Sequence, residues 1–333
     1  MTTESDMSLT EDLAPHSWHA NFITAPFACG AATDPALYVR RTFSVEPGLK
    51  RATLYASALG LIDPHINGNR IGDEVLLPGW TSYKYRTLVS QFDVTAQLAV
   101  GSNAIGAIVG QGWAVGRIGW EGKSHLWSDK PAAFLELRLD YGDHETVISS
   151  DESFHVGTGA LRENGIYDGE TYDATARCPG WDLPEFDDSS WVYATVVPWD
   201  MAAVQLRSCA PIRRIEELAP VAITQRSGAA IVDFGQNISG WVRIGVHNAP
   251  AGTRIQLRHA ELLNADGTVN TSNLRSAKAT DTWIPGGQEH EEYEPRFTFH
   301  GFRYVEVTGY RALRNQGCRW GLKPPASSRL REM

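Results

Sequence analysis

The chain has 333 residues, 42% hydrophobic and 21% charged, the proportions of a folded globular protein with room for about two domains. A formal net charge of −9 with no basic stripe argues against nucleic acid or an anionic membrane surface as partner. No run reaches the roughly 18 apolar residues of a membrane span, and the polar start Met1–Asp12 has no leader pattern, so a cytoplasmic location is expected.

Residues 1–36 read as an N-terminal extended segment. From there the hydrophobic pattern is one of short runs broken by turns, the mark of β-sandwiches. Strands are predicted at Leu37–Val45, Ala52–Ala58, Leu88–Val94, Asn103–Val109, Ala133–Asp140 and Glu145–Ser149. Asn67-Gly68 between apolar runs predicts a tight hairpin. Short helical turns are expected near Val94–Leu98 and Asp187–Trp191. Residues 37–204 therefore suit a jelly-roll-like sandwich, and 205–228, with Pro211 and Pro220, read as an extended connector. Further strands at Ala230–Phe234, Gly240–Val246, Arg254–Ala260 and Arg303–Val307 make 229–310 a second, smaller sandwich. Beyond it, 311–333 turns basic and loses the strand pattern, which predicts a disordered or non-native tail. The fold class is all-β, two tandem sandwiches. Cys29, Cys178, Cys209 and Cys318 are widely spaced and are expected to be free thiols.

The densest chemistry lies in Tyr167-Asp168-Gly169-Glu170-Thr171-Tyr172-Asp173. Alternate side chains of an extended segment share a face, so Asp168, Glu170 and Tyr172 are expected to point together. Such a face suits paired sugar hydroxyls; with Asn164 and local carbonyls it also suits Ca²⁺; the third reading is a charged loop paired to Arg162 and Arg177. A second cluster is Gly110-Gln111-Gly112-Trp113 with Arg117, Trp120 and Lys123. Trp113, Arg117 and Trp120 form either a ligand platform with a guanidinium fork or a loop capping the sandwich. Asp168 and Glu170 are a poor hydrolytic pair, because an i, i+2 pair on one strand lies on one side of a scissile bond. No catalytic residues are assigned.

The strings Asn67–Tyr83 (NGNRIGDEVLLPGWTSY), Gly110–Trp113 and Tyr167–Ala174 resemble the N-terminal module of bacterial α-L-rhamnosidases. Asp233–Trp241 (DFGQNISGW), Leu257–Glu261 (LRHAE), Asn273–Arg275, Ala279–Asp281 and Phe297–Tyr304 (FTFHGFRY) resemble that family's second β module. The resemblance implies a rhamnose-binding jelly roll, assisted in some members by Ca²⁺, with the sugar near the YDGETYDA segment. It carries sugar contact onto Asn164, Asp168, Glu170, Tyr172 and Asp173, and more loosely onto Trp113, Arg117 and Trp120, with Asn164 and Asp168 as Ca²⁺ ligands. Gly165 departs from the acidic residue that relatives often show there. The likeness ends at Thr308-Gly309-Tyr310, where the family continues into a helical catalytic barrel that the 23 remaining residues cannot build. The expected function is thus non-catalytic recognition of L-rhamnose-containing glycans. A hydrolase completed in trans by a barrel domain and a structural remnant without ligand are the alternatives.

Overall fold

The computed structural model describes residues 17–309 apart from Gly119 and Ser227, together with the backbone strand Ser327–Arg331. Alternating apolar residues close the first sandwich. One sheet has the strand order 195–197, 22–24, 132–140, 51–59, 87–93, 204–206, with 145–149 beside 132–140; the other runs 192–193, 155–158, 37–45, 101–110, 61–66, 69–70. Ile23, Leu54, Leu135 and Leu137 of the first sheet meet Leu37, Val39, Ile105 and Val109 of the second in one fully buried core. Asn67 and Gly68 both take positive φ, 49° and 80°, and join Ile66 to Asn69 as the predicted hairpin.

The second unit is a nine-stranded sheet whose inner face packs on the pair Ile244–His247 and His290–Tyr293. Its core gathers Phe234, Ile244, Leu257, Trp283, Tyr293 and Phe302. The two runs predicted at 230–234 and 240–246 are largely one long strand, Ala229–Val242, whose pairing with His300–Thr308 shifts register between Asp233 and Ile238.

Several boundaries differ from the sequence expectation. The N-terminal segment supplies strand Phe22–Thr24, and the connector 205–228 carries strands Arg213–Leu218 and Ala222–Arg226, whose charged and polar residues hid them from a hydrophobic pattern. The tail is not without pattern: Ser327–Arg331 inserts between 213–218 and 229–242, while 311–326 lie outside the described residues. Asp187–Trp191 forms a turn closed by Trp191 N–H on Asp188 O at 2.8 Å, not a helix. The largest difference is the hairpin Leu161–Gly165 and Gly169–Asp173. It interrupts the first sandwich in sequence, whose strands resume at 192–197 and 204–206, yet it is the edge of the second sheet, with Thr171, Tyr172 and Asp173 running parallel to Thr282, Trp283 and Ile284. The three described cysteines, Cys29, Cys178 and Cys209, are free thiols. No helix of the described residues is long and apolar enough to cross a membrane.

Candidate functional site

The hairpin's conformation follows from Gly169. With φ of +97°, a Cβ there would stand 2.2 Å from Thr280 O, so only glycine lets the turn lie this close to the next strand. The strand begins at Gly169, which leaves Asp168 on the turn and out of the strand's alternation. The face expected to hold Asp168, Glu170 and Tyr172 together therefore does not form. Glu170 instead turns into the protein, accepting from Tyr293 Oη at 3.1 Å and from the backbone N–H groups of Arg296 and Phe297 at 3.0 and 3.3 Å. Burial, then the charge of Asp281, pushes its pKa up to about 7. Tyr172 packs against the second core, its hydroxyl accepting from Arg177 Nε at 3.2 Å. Asp173 caps the following turn, accepting from Thr175 N and Oγ1 at 3.0 and 2.6 Å.

Asp168 and Arg117 form a two-point ion pair, with Nε donating to Oδ2 at 2.9 Å and Nη2 to Oδ1. Lys278 N–H reaches Oδ1 at 3.1 Å, and Arg117 Nη2 also donates to Ser276 O at 2.8 Å. Asn164 is buried with its Oδ1 on Gln111 N–H at 2.8 Å; its Nδ2 has no hydrogen-bond partner among the described residues. These residues do not fit Ca²⁺, a hard cation that needs six to eight oxygens. The Asn164 oxygen already accepts from an amide, and a dication at Asp168 would have to displace a guanidinium. The charged-loop reading holds here, with Arg117 as the partner in place of Arg162. A pocket of about 130 Å³ brings Asn164, Asp168, Glu170 and Arg117 together but includes neither Trp113, Tyr172 nor Asp173.

Trp113 is buried in an apolar cluster that also holds Phe297 of the second unit, its ring 6.4 Å from that of Phe299. It carries Trp80 on its ring, the two indoles 5.7 Å apart and 1° from parallel. Trp80 is 55% exposed and is the aromatic face presented outward here. The Trp120 side chain lies outside the described residues.

A larger crevice of about 470 Å³ opens where the two sandwiches meet. Asp63, in the apolar strand Leu61–Ile66, is at its floor and accepts from Arg70 Nε and from Arg296 Nη1. Burial alone would raise its pKa, but Arg296, His65 and Arg70 outweigh it and hold the carboxyl well below the usual range. His65 lies between Asp63 and Asp182, at 3.5 and 2.7 Å; its burial opposes a charge, yet the two carboxylates raise its pKa overall. Across the opening, Trp241 Nε1 donates to Glu294 Oε1 at 2.6 Å and Arg214 Nη2 pairs with the same oxygen at 2.7 Å. Sequence reading missed this site because its residues are scattered over both units. A buried charge inside the run LIDPHI was the one local signal. Pockets that hold organic ligands typically measure roughly 300–1,000 Å³ and favour domain junctions; both pockets lie where residues of the two units meet, but only the crevice reaches that volume.

Comparison with known proteins agrees with the architecture. The α-L-rhamnosidase N-terminal domain matches residues 48–216, and the bacterial α-L-rhamnosidase concanavalin-like domain matches 223–320. An α-L-rhamnosidase of Streptomyces avermitilis is 43% identical over 309 residues, 90% of this chain and 30% of the relative. One from Formosa agariphila is 36% identical over 288 residues, 85% of this chain and 31% of the relative. Among solved structures, the Aspergillus terreus α-L-rhamnosidase superposes with a TM-score of 0.89 at 35% identity, over 95% of this chain and 36% of that one. The Streptomyces avermitilis enzyme complexed with L-rhamnose gives 0.83 at 38% identity, over 90% and 29%. The chain thus spans about a third of the length of the curated relatives it matches.

Proposed function

The chain belongs to the bacterial α-L-rhamnosidase family through its N-terminal and concanavalin-like domains, and from that membership we propose that it recognises terminal L-rhamnose without cleaving the glycoside itself. The observation that carries this reading is the crevice between the sandwiches. It offers carboxylates at Asp63 and Glu294 and guanidiniums at Arg70, Arg214 and Arg296, beside the Trp241 indole. Carboxylates accept from vicinal hydroxyls, arginine forks donate to ring and hydroxyl oxygens, and an indole covers a C–H face. The complex of a relative with L-rhamnose supports the choice of sugar.

The test is calorimetric titration of the intact chain with L-rhamnose, with Ca²⁺ and again with a chelator. Millimolar binding, about 4 kcal/mol, is expected in both buffers and should fall at least tenfold in Glu294→Gln. Absence of heat well into the millimolar range would leave a folded unit without this ligand.

A second reading is participation in α-L-rhamnoside hydrolysis alongside a catalytic region. Ile215, Val221, Ile223 and Leu262 are exposed on the second unit and favour a covering partner. Release of p-nitrophenol from an aryl α-L-rhamnoside by this chain alone would overturn the non-catalytic reading. Release that needs an added barrel domain would establish the second.

A further inference from the structure

Beneath the hairpin, three neighbouring strands of the second sheet bring two histidines and an aspartate together in the buried interior. His259 is on Ile255–Ala260, Asp281 on Thr280–Ile284 and His300 at the start of His300–Thr308. All three are buried, and their potential ligand atoms lie within 4.8 Å of one another. We propose that His259 Nε2, Asp281 and His300 Nε2 bind a borderline divalent transition metal, with Zn²⁺ as the reference ion.

The first argument is the state of His259. Its Nδ1 is 3.1 Å from Ala279 O, which can only accept, so Nδ1 carries the proton and Nε2 a lone pair. That Nε2 is buried with no hydrogen-bond partner among the described residues, and Asp281 Oδ2 is 3.9 Å away. A buried lone pair and a buried carboxylate oxygen 3.9 Å apart repel. A cation between them turns both into ligands.

The second argument is the surroundings. A metal-bound histidine commonly donates its other ring nitrogen to a carbonyl or carboxylate, as His259 does to Ala279. Asp281 Oδ1 is fixed from behind by Glu170 N–H at 3.1 Å. His300 Nε2 sits 3.2 Å from each Asp281 oxygen, so the metal takes the place of the proton shared there. Bonds of roughly 2.0–2.2 Å in a tetrahedron set donor atoms about 3.4 Å apart. The two histidine–carboxylate separations, 3.2 and 3.9 Å, bracket that value, and with all three donors within 4.8 Å of one another binding would draw in the two stacked rings, now 4.1 Å apart. Thr298 Oγ1, 3.5 Å from His300 Nε2, donates to Ile166 O at 2.9 Å and keeps its lone pairs as the nearby oxygen donor for a fourth ligand. Nitrogen donors select a transition metal over Ca²⁺. The ion would be structural, tying three strands together and, through Glu170, the hairpin.

The test uses the intact chain, stripped with a strong chelator and titrated with Co²⁺ followed by visible absorption, and with Zn²⁺ followed by calorimetry. One equivalent is expected, with the intense visible bands of four-coordinate Co²⁺ and a Tm that rises with added metal. His247 and His290, whose rings stack 4.5 Å apart at the end of the smaller layer, are the competing site. Binding should survive His290→Gln and weaken at least 100-fold in His259→Gln. A folded wild-type chain that takes up no equivalent of either metal would overturn the proposal. So would binding that His290→Gln abolishes. Should His259→Gln fail to fold, the Co²⁺ spectrum of the His290→Gln chain decides alone.

Discussion

Asp63 and Arg296 are 233 positions apart in the chain and form an ion pair across the junction of the two sandwiches. The pair fixes the two units at the crevice floor, because Asp63 is simultaneously held by Arg70 from its own unit. Removing Arg296 leaves a buried carboxylate with one guanidinium fewer. Arg296→Met should cost roughly 2 kcal/mol, less than a fully desolvated pair would, since Arg296 is itself part-exposed. Urea denaturation monitored by tryptophan fluorescence measures it, and an unchanged midpoint would remove the junction role.

Glu170 predicts a pH dependence. Its carboxyl has a pKa of about 7 in the folded chain against 4.5 when free, so the folded state holds the proton more tightly than the unfolded state. The associated stability is complete below about pH 4.5 and is lost as pH rises through 7, amounting to about 3 kcal/mol at most. Asp281 is shifted the other way, with burial opposed and outweighed by His300, so its contribution disappears only below its ordinary range. Glu170→Gln keeps the acceptor for Arg296 and Phe297 without the charge. Stability measured from pH 5 to 8 should fall for the native chain and stay nearly level for the variant.

Gly169→Ala should destabilise by about 2 kcal/mol or more through strain at positive φ. The added methyl would meet the Thr280 carbonyl. Hydrogen exchange should show the Gly169–Asp173 strand losing protection before the rest of the sheet. Uniform loss would mean that the turn does not act locally.

The stacked indoles separate support from surface. Trp113→Ala should cost about 3–5 kcal/mol through the cavity it opens. Trp80→Ala, at an exposed ring, should cost less than about 1 kcal/mol. Thermal melts of the two variants check the contrast, and equal losses would contradict the assignment of Trp113 to the interior.

The parts of the fold legible in the sequence are those where apolar residues alternate or turn residues are diagnostic. Leu37–Val45 and Glu145–Ser149 form as read, and Asn67-Gly68 turns as its left-handed preference requires. Strands such as Arg213–Leu218, made of charged residues, owe their existence to partners in the sheet and have no pattern of their own. The YDGETYDA segment was legible as unusual but not in its orientation. The positive-φ turn at Gly169, where the strand begins, takes Asp168 out of the alternation, so that Glu170 enters the core and Asp168 meets Arg117. The crevice and the His259, Asp281, His300 cluster depend on residues brought together only by sheet order. Apart from the charge inside LIDPHI, local sequence holds no record of them.

The loan of Leu161–Asp173 to the second sheet has a consequence for modularity. A second unit cut out at residue 229 would present strand Thr280–Ile284 with its outer side bare, an invitation to pair with another copy. A first unit cut at 204 would carry a hairpin with no sheet to join. The two units therefore cannot be shuffled or inherited separately at their sequence boundary, and each serves as the other's protection against aggregation.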